Sequence, residues 1–260
     1  MEKYGEFVSI RRSLPIVVGV QLTKEQGELE PTSKPYSSLV GALLFLSVST
    51  RPDICFAVNV LTKFLKCPGK AHWDVAIGVL SYLGGTRELG IRLGGARGGR
   101  RGGLLGFADA DWANDIDDRK SVSGGILFMG GSIVQWFSRK QHMVCTSTAE
   151  AEIHAVLEMV YTVGAAIVIV REIFGRFFEK NARVPLILND NQPGLDAIKS
   201  RKGRTKHYDI KIKFISEGID NGEYTLAKVS TSANLADIFT KAVRAGRFKE
   251  LVRAIMTNGN

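Results

Sequence analysis

Gly106-Phe107-Ala108-Asp109-Ala110-Asp111-Trp112, answered further on by Thr146-Ser147-Thr148-Ala149-Glu150-Ala151-Glu152-Ile153-His154-Ala155, is the stretch that decides the fold. Between the two acidic ends lie two apolar, β-prone runs, Val122 to Met129 and Ile133 to Phe137. Gly130-Gly131 separates them, and a glycine pair of this kind suits a two-residue hairpin turn. Leu104 to Ala108 supplies a further strand antiparallel to the hairpin, with Asp109 expected at its end. Asp111 shares that face, since residues i and i+2 do, but lies beyond the end. With Asp115, Asp117 and Asp118 it reads as a solvated turn. From Thr148 the pattern is helical, with Ser147 or Thr148 as N-cap and Glu150 and Glu152 near the positive end of the helix dipole. A meander followed by a helix thus brings carboxylates together from distant positions. Carboxylates that meet repel one another, so such a cluster calls for a cation.

Downstream, the apolar run Val184 to Leu188 reads as a buried strand that delivers Asn189-Asp190-Asn191-Gln192 at its end. Leu195 to Lys199 is a short helix. The basic run Arg201-Lys202-Gly203-Arg204-Thr205-Lys206-His207 precedes a helix from Tyr208 to about Gly218, and Glu223 to Val229 is a strand. Ser232 or Asn234 caps a helix carrying Asp237, and Phe248 to Met256 is a terminal helix. Upstream, Tyr36 to Thr50, Pro52 to Leu65 and His72 to Leu83 read as three helices, with Arg51, Asp53, His72 and Trp73 serving capping and packing. Residues before them carry Pro15, Pro31, glycines and charges without sustained periodicity. Gly94 to Gly103 is glycine- and arginine-rich and reads as a flexible linker.

Several separate motifs occur in one order: Ala108-Asp109-Ala110-Asp111-Trp112-Ala113, Arg119-Lys120-Ser121-Val122-Ser123-Gly124, Trp136-Phe137-Ser138-Arg139-Lys140-Gln141 and Thr146 to Glu152. Together they resemble the ribonuclease H region of copia-type retrotransposon polyproteins. Tyr36 to Gly41, Thr50 to Ile54, Pro68 to Trp73 and Tyr82 to Thr86 resemble the helical connection, or thumb, that precedes it in that family. The resemblance covers roughly residues 36 to 243. It implies an α/β, ribonuclease H-like fold: a mixed five-stranded sheet with flanking helices, preceded by a small helical connection region. The domain organisation expected is an irregular lead-in over 1–35, helices over 36–93, the linker over 94–103, the nuclease domain over 104–243, and a C-terminal helix and tail over 244–260.

The resemblance also implies the function, an endoribonuclease cutting the RNA strand of RNA–DNA hybrids by two-metal-ion hydrolysis. Its motifs place metal ligands at Asp109, Glu152, Asp190 and, in Asn234-Leu235-Ala236-Asp237-Ile238-Phe239-Thr240-Lys241, Asp237. Glu152 is chosen over Glu150 because the family's ligand precedes an apolar-x-Ala. Asp109 would bridge two Mg²⁺ ions (Mn²⁺ being the alternative), with Glu152 and Asp190 on one and Asp237 on the other. Lys199, Arg201, Lys202, Arg204, Lys206 and His207 are the candidate phosphate contacts. The reverse transcriptase palm is expected upstream, outside this chain. The localisation implied is cytoplasmic, in a virus-like particle, with the nucleus as alternative. The competing reading is an inactive retrotransposon remnant that only binds nucleic acid.

Composition agrees. The 260 residues are 45% hydrophobic and 23% charged, as in a soluble globular chain. A net charge of +9 favours a polyanionic partner. Cys55, Cys67 and Cys145 show no CxxC spacing and read as free thiols, with no zinc site. No signal peptide or membrane anchor is expected. Leu14 to Leu22 is too short to span a bilayer, and Val156 to Val170, with Glu158 inside it, reads as a buried helix.

Overall fold

The computed structural model describes residues 4, 11–94, 103–181, 183–201 and 206–258. Most of the glycine- and arginine-rich segment, residues 95–102, lies outside these. The chain divides into two compact units: Met1–Ile91 with Asn114–Arg119 and Lys241–Asn260, and Arg92–Ala113 with Lys120–Thr240.

The first unit is helical. Within the lead-in expected to be irregular, α1 (Lys24–Leu29) is a short helix. Gln26 reaches back to accept the Thr23 N–H at 3.1 Å, a local capping bond that overrides the weak periodicity. α2 (Tyr36–Ser49) and α3 (Cys55–Thr62) follow, separated by the one-turn 3₁₀ helix Pro52–Ile54, then α4 (Lys70–Gly85). They bury Leu39, Leu43, Val58, Leu61, Ala76 and Val79 among others. Asp53 accepts two hydrogen bonds from Arg51, at 2.9 and 2.7 Å, and one from the Tyr82 hydroxyl at 2.6 Å. Arg51 and Asp53 are thus packing groups, and the pair ties the α2–α3 break to α4. His72 is the N3 residue of α4. Its Nδ1 accepts the Gly69 N–H at 2.8 Å, its Nε2 meets the Thr23 carbonyl at 3.0 Å, and its ring stacks on Phe64 at 4.0 Å.

The second unit holds the sheet. β1 (Leu104–Asp111) is central and buried on both faces, which is why it reads as a nearly unbroken apolar and small-residue run. β2 (Val122–Met129) pairs with it antiparallel, and β3 (Ser132–Lys140) pairs antiparallel with β2. The turn between β2 and β3 uses Gly130 and Gly131 at φ 59° and 88°, values open to glycine at little cost. α5 (Thr148–Asn181) crosses the sheet, with non-helical backbone at Gly175 joining two helical pieces. Then come β4 (Leu186–Asn189), α6 (Gln192–Ser200), α7 (Lys206–Asp220) and β5 (Thr225–Lys228). The order across the sheet is β3-β2-β1-β4-β5, with β4 parallel to β1 and β5 parallel to β4. Three antiparallel strands, then two parallel ones reached through helices, make a ribonuclease H-like fold.

Thr148–Gly175 is long and apolar enough, by length and composition, to cross a bilayer. Here Ala151, Ala155, Val156, Met159 and Val163 of α5 pack into the core with Leu104, Ala108, Leu127 and Ile187 of the sheet. Small residues on the strands admit the helix: a Cβ on Gly106 would lie 2.8 Å from the Met159 sulfur. α8 (Ala245–Ile255) closes the chain's helices and belongs to the first unit, where Leu89–Gly90 pairs antiparallel with Thr257–Asn258.

Candidate metal centre

β1 runs two residues further than the apolar pattern suggests. Asp109, Ala110 and Asp111 pair with Gly124, Ser123 and Val122, because β2 is long enough to hold them. Asp109 is therefore not at the strand's end, and that argument for preferring it to Asp111 is corrected. Burial separates the two instead: Asp109 is 2% exposed, whereas Asp111 is half-buried.

Glu150 and Glu152 part in the first turn of α5. The Ser147 hydroxyl accepts the Glu150 N–H at 3.2 Å, making Ser147 the cap. The Glu150 carboxylate turns back to accept from the Thr146 N–H at 2.7 Å and its hydroxyl at 3.0 Å. Its charge is occupied at the helix end. Glu152, 5% exposed, faces the sheet. Asp190 follows the last residue of β4, where parallel pairing to β1 sets it beside the Asp109 end of that strand.

Oxygens of Asp109, Glu152 and Asp190 lie within 4.8 Å of one another. Asp237 is outside that group. It is buried on the 3₁₀ turn Leu235–Phe239, capped by Asn234, whose side chain accepts the Ala236 N–H at 3.1 Å. The turn replaces the expected helix. Phe239 and Thr240, both fully buried, are drawn toward β2, where Gly124 leaves room for them.

Uncharged donors hold the carboxylates in place. Asn189 Nδ2 donates to Glu152 Oε2 at 2.8 Å and to the Ala108 carbonyl at 3.0 Å. Asn234 Nδ2 donates to that same carbonyl at 3.2 Å and to Asp190 Oδ1 at 3.3 Å. The Thr240 hydroxyl donates to Asp109 Oδ2 at 2.5 Å. Amides and hydroxyls orient carboxylates without cancelling their charge. Three hard oxygen donors so arranged suit a divalent cation.

Sequence reasoning missed Asn189 and Thr240 as groups that hold the site. The available signal was an amide closing the apolar strand Leu186-Ile187-Leu188, since a buried amide needs partners. Gln141 was missed too: its Nε2 donates to Ser123 Oγ and to the Ala151 carbonyl, both at 2.9 Å, joining β2 to the first turn of α5.

His154, two residues beyond Glu152, contacts Lys211 of α7. Burial, with Lys211 adding to it, lowers its pKa to about 4, so the ring is neutral near pH 7. Burial likewise lowers the Lys211 pKa and raises that of Glu158, which Arg139 at 3.9 Å only partly offsets. Among the basic candidates, Lys199 is exposed at the end of α6. Arg201 pairs with Asp220 at 2.5 Å, both largely exposed. Lys202 and Arg204 lie outside the described residues, as do the side chains of Lys206 and His207.

No protein-family model matches the sequence. The retrovirus-related Pol polyprotein from transposon TNT 1-94 of Nicotiana tabacum is 37% identical over 226 residues, 84% of this chain and 16% of that protein. Secreted RxLR effector protein 161 of Plasmopara viticola is 42% identical over 127 residues, 48% of this chain and 85% of that protein. Among solved structures, RNase H1 from the halophilic archaeon Halobacterium salinarum aligns over 53% of this chain and 94% of its own, at 13% identity and a TM-score of 0.38. That score is low, and the fold assignment rests on the strand order and directions above. The chain spans about a sixth of the length of the polyproteins it matches. Over most of its length it is a homologue of a segment of the retrovirus-related Pol polyproteins of copia-type transposons.

Proposed function

We propose that this chain is a divalent-metal-dependent endoribonuclease that cuts the RNA strand of RNA–DNA hybrids. The observation that carries the reading is the convergence of Asp109, Glu152 and Asp190 on a ribonuclease H-like sheet. Homology to Pol polyproteins supports it. Asp109, Glu152 and Asp190 are the proposed metal ligands, with Asp237 assigned to a second ion. When bound, the two ions would supply an activated water and a counter-charge for the leaving oxygen.

The chain's own groups do the rest. Asn189 and Thr240 fix the orientations of Glu152 and Asp109, so that little reorganisation is left for the moment of reaction. Asn234 ties Asp190 to the same carbonyl that Asn189 uses, which couples the ligands' positions. Lys199, Arg201, Lys202, Arg204, Lys206 and His207 are proposed to meet the phosphates, and recognition of the hybrid would be by shape and 2′-hydroxyls. The upstream polymerase domain, in a cytoplasmic particle, is the proposed partner.

The test is strand-resolved. A hybrid labelled on either strand is incubated with the chain in Mg²⁺, Mn²⁺ or EDTA. Cleavage confined to the RNA label and abolished by EDTA supports the proposal. Cleavage of both strands, or cleavage that persists in EDTA, would overturn it.

A further inference from the structure

The first unit holds a cavity of about 520 Å³ lined by α2 and α4, a volume in the range of built ligand sites. Leu39, Leu43 and Leu46 of α2 and Leu80 and Leu83 of α4 give it apolar walls. Two guanidinium groups, Arg51 and Arg87, belong to the same lining.

Arg51 is 7% exposed, and its hydrogen bonds can be followed one by one. A guanidinium carries five N–H donors. Nε and Nη2 each donate to Asp53, at 2.9 and 2.7 Å. Nη2 also donates to the Thr86 hydroxyl at 2.7 Å, and Nη1 to the Thr86 carbonyl at 3.1 Å. Four donors are thus used, and the second Nη1 hydrogen has no acceptor among the described residues. A buried donor left in that state costs free energy until an acceptor reaches it. Asp53 already offsets the Arg51 charge. Arg87, exposed just beyond α4, forms no ion pair with a described residue, so its charge is the uncompensated one at this cavity.

We propose that this cavity binds a straight-chain fatty acid as its carboxylate, with the acyl chain among the leucines and the carboxylate oxygens accepting from Arg51 Nη1 and Arg87. Each part of the lining answers one part of that ligand. The leucines take methylenes, each worth about fourfold in affinity when buried. The spare Nη1 hydrogen calls for an acceptor, and the unpaired Arg87 calls for that acceptor to be an anion. A polyanion without an apolar chain would leave the leucine walls uncovered, and a neutral lipid would leave Arg87 unpaired. The inference is independent of the nuclease reading, because it invokes neither metal nor cleavage.

The test uses the full chain in EDTA, with dansyl-undecanoic acid as a fluorescent probe displaced by octanoate, decanoate or decanol, all below their micelle concentrations. Decanoate should compete about 15-fold better than octanoate, for two more methylenes. It should compete about tenfold better than decanol, for the charge-assisted bonds. Arg87→Gln should remove most of that preference while leaving decanol unchanged. Ala42→Trp fills the cavity from an exposed position on its lining and should abolish probe binding. Val17→Trp, also at an exposed position of this unit but off the lining, should leave it intact. Matching thermal midpoints establish that the variants keep the fold, and the competition series on the wild type stands without them. No saturable probe binding by the wild type, or equal competition by decanol and decanoate, would overturn the proposal. Probe binding that survives Ala42→Trp, or that Val17→Trp weakens as much, would overturn the site.

Discussion

Replacing Gly124 with alanine is expected to loosen the metal centre without touching a carboxylate. Gly124 sits opposite Asp109 in the β1–β2 register. A Cβ there would stand 2.6 Å from Thr240 Cγ2, 2.7 Å from Phe239 Cβ and 3.0 Å from the Phe239 carbonyl carbon. Ordinary contact begins near 3.4 Å, so Thr240, with Phe239 before it, must retreat by about 0.8 Å (3.4 less 2.6). A shift of that size along the Thr240–Asp109 bond would stretch it from 2.5 Å to about 3.3 Å, beyond the hydroxyl range. Overpacking of this kind costs about 1–3 kcal/mol. The second unit should therefore unfold at lower urea with an unchanged m-value. Misplacement approaching 1 Å at a reacting centre costs on the order of 100-fold in rate, so hybrid cleavage should fall more than the folded fraction does. Gly164→Ala is the control, since nothing lies within 4 Å of an added Cβ on that helical residue. It should stabilise by about 0.5–1 kcal/mol. A Gly124→Ala protein that matches wild type in both unfolding and cleavage would refute the packing argument.

Asn189→Ala should cost about 1–3 kcal/mol in urea unfolding, because the Ala108 carbonyl and Glu152 each lose a buried donor; unchanged stability would show those bonds contribute nothing net. His72 gives a pH dependence of definite sign. Burial lowers its pKa below the ordinary 6.5, and Nδ1 must stay unprotonated to accept the Gly69 N–H. Its contribution is thus present above about pH 6.5 and lost as pH falls through the folded-state value. His72→Gln keeps an acceptor and should flatten that part of the stability–pH curve, whereas an unchanged slope would assign it to other groups. Thiol titration at pH 8 should find Cys67 fast and Cys55 and Cys145 slow until denaturant is added, since both are buried and burial pushes the Cys145 thiol up to about 11. Equal rates for all three would contradict that placement.

Much of the second unit is legible in sequence because its signals are local. The Gly130-Gly131 turn, the apolar, β-prone runs of β2 and β3, and the Ser147 cap each depend on a few neighbouring residues. What is not legible is set at long range. The reach of β1 past Asp109 depends on how far β2 can pair with it. Asn189 reads as a strand-end polar residue until Glu152 and Ala108, distant in sequence, are placed beside it. Thr240 reads as part of a motif, yet its hydroxyl serves a carboxylate 131 positions away. Likewise, nothing in the amphipathic pattern of α8 says that its place is with the N-terminal helices.

Cleavage of a labelled RNA–DNA hybrid in Mg²⁺, wild type beside Asp109→Asn, tests the central claim most directly. Asparagine keeps the size of the side chain and removes the charge a metal would need, so binding of the hybrid in EDTA should persist in both proteins. The account predicts RNA-strand cleavage by wild type and none by the variant. Equal cleavage by both would contradict the assignment of Asp109. Hybrid binding without cleavage by wild type would contradict the nuclease itself and leave a retrotransposon remnant that only binds nucleic acid.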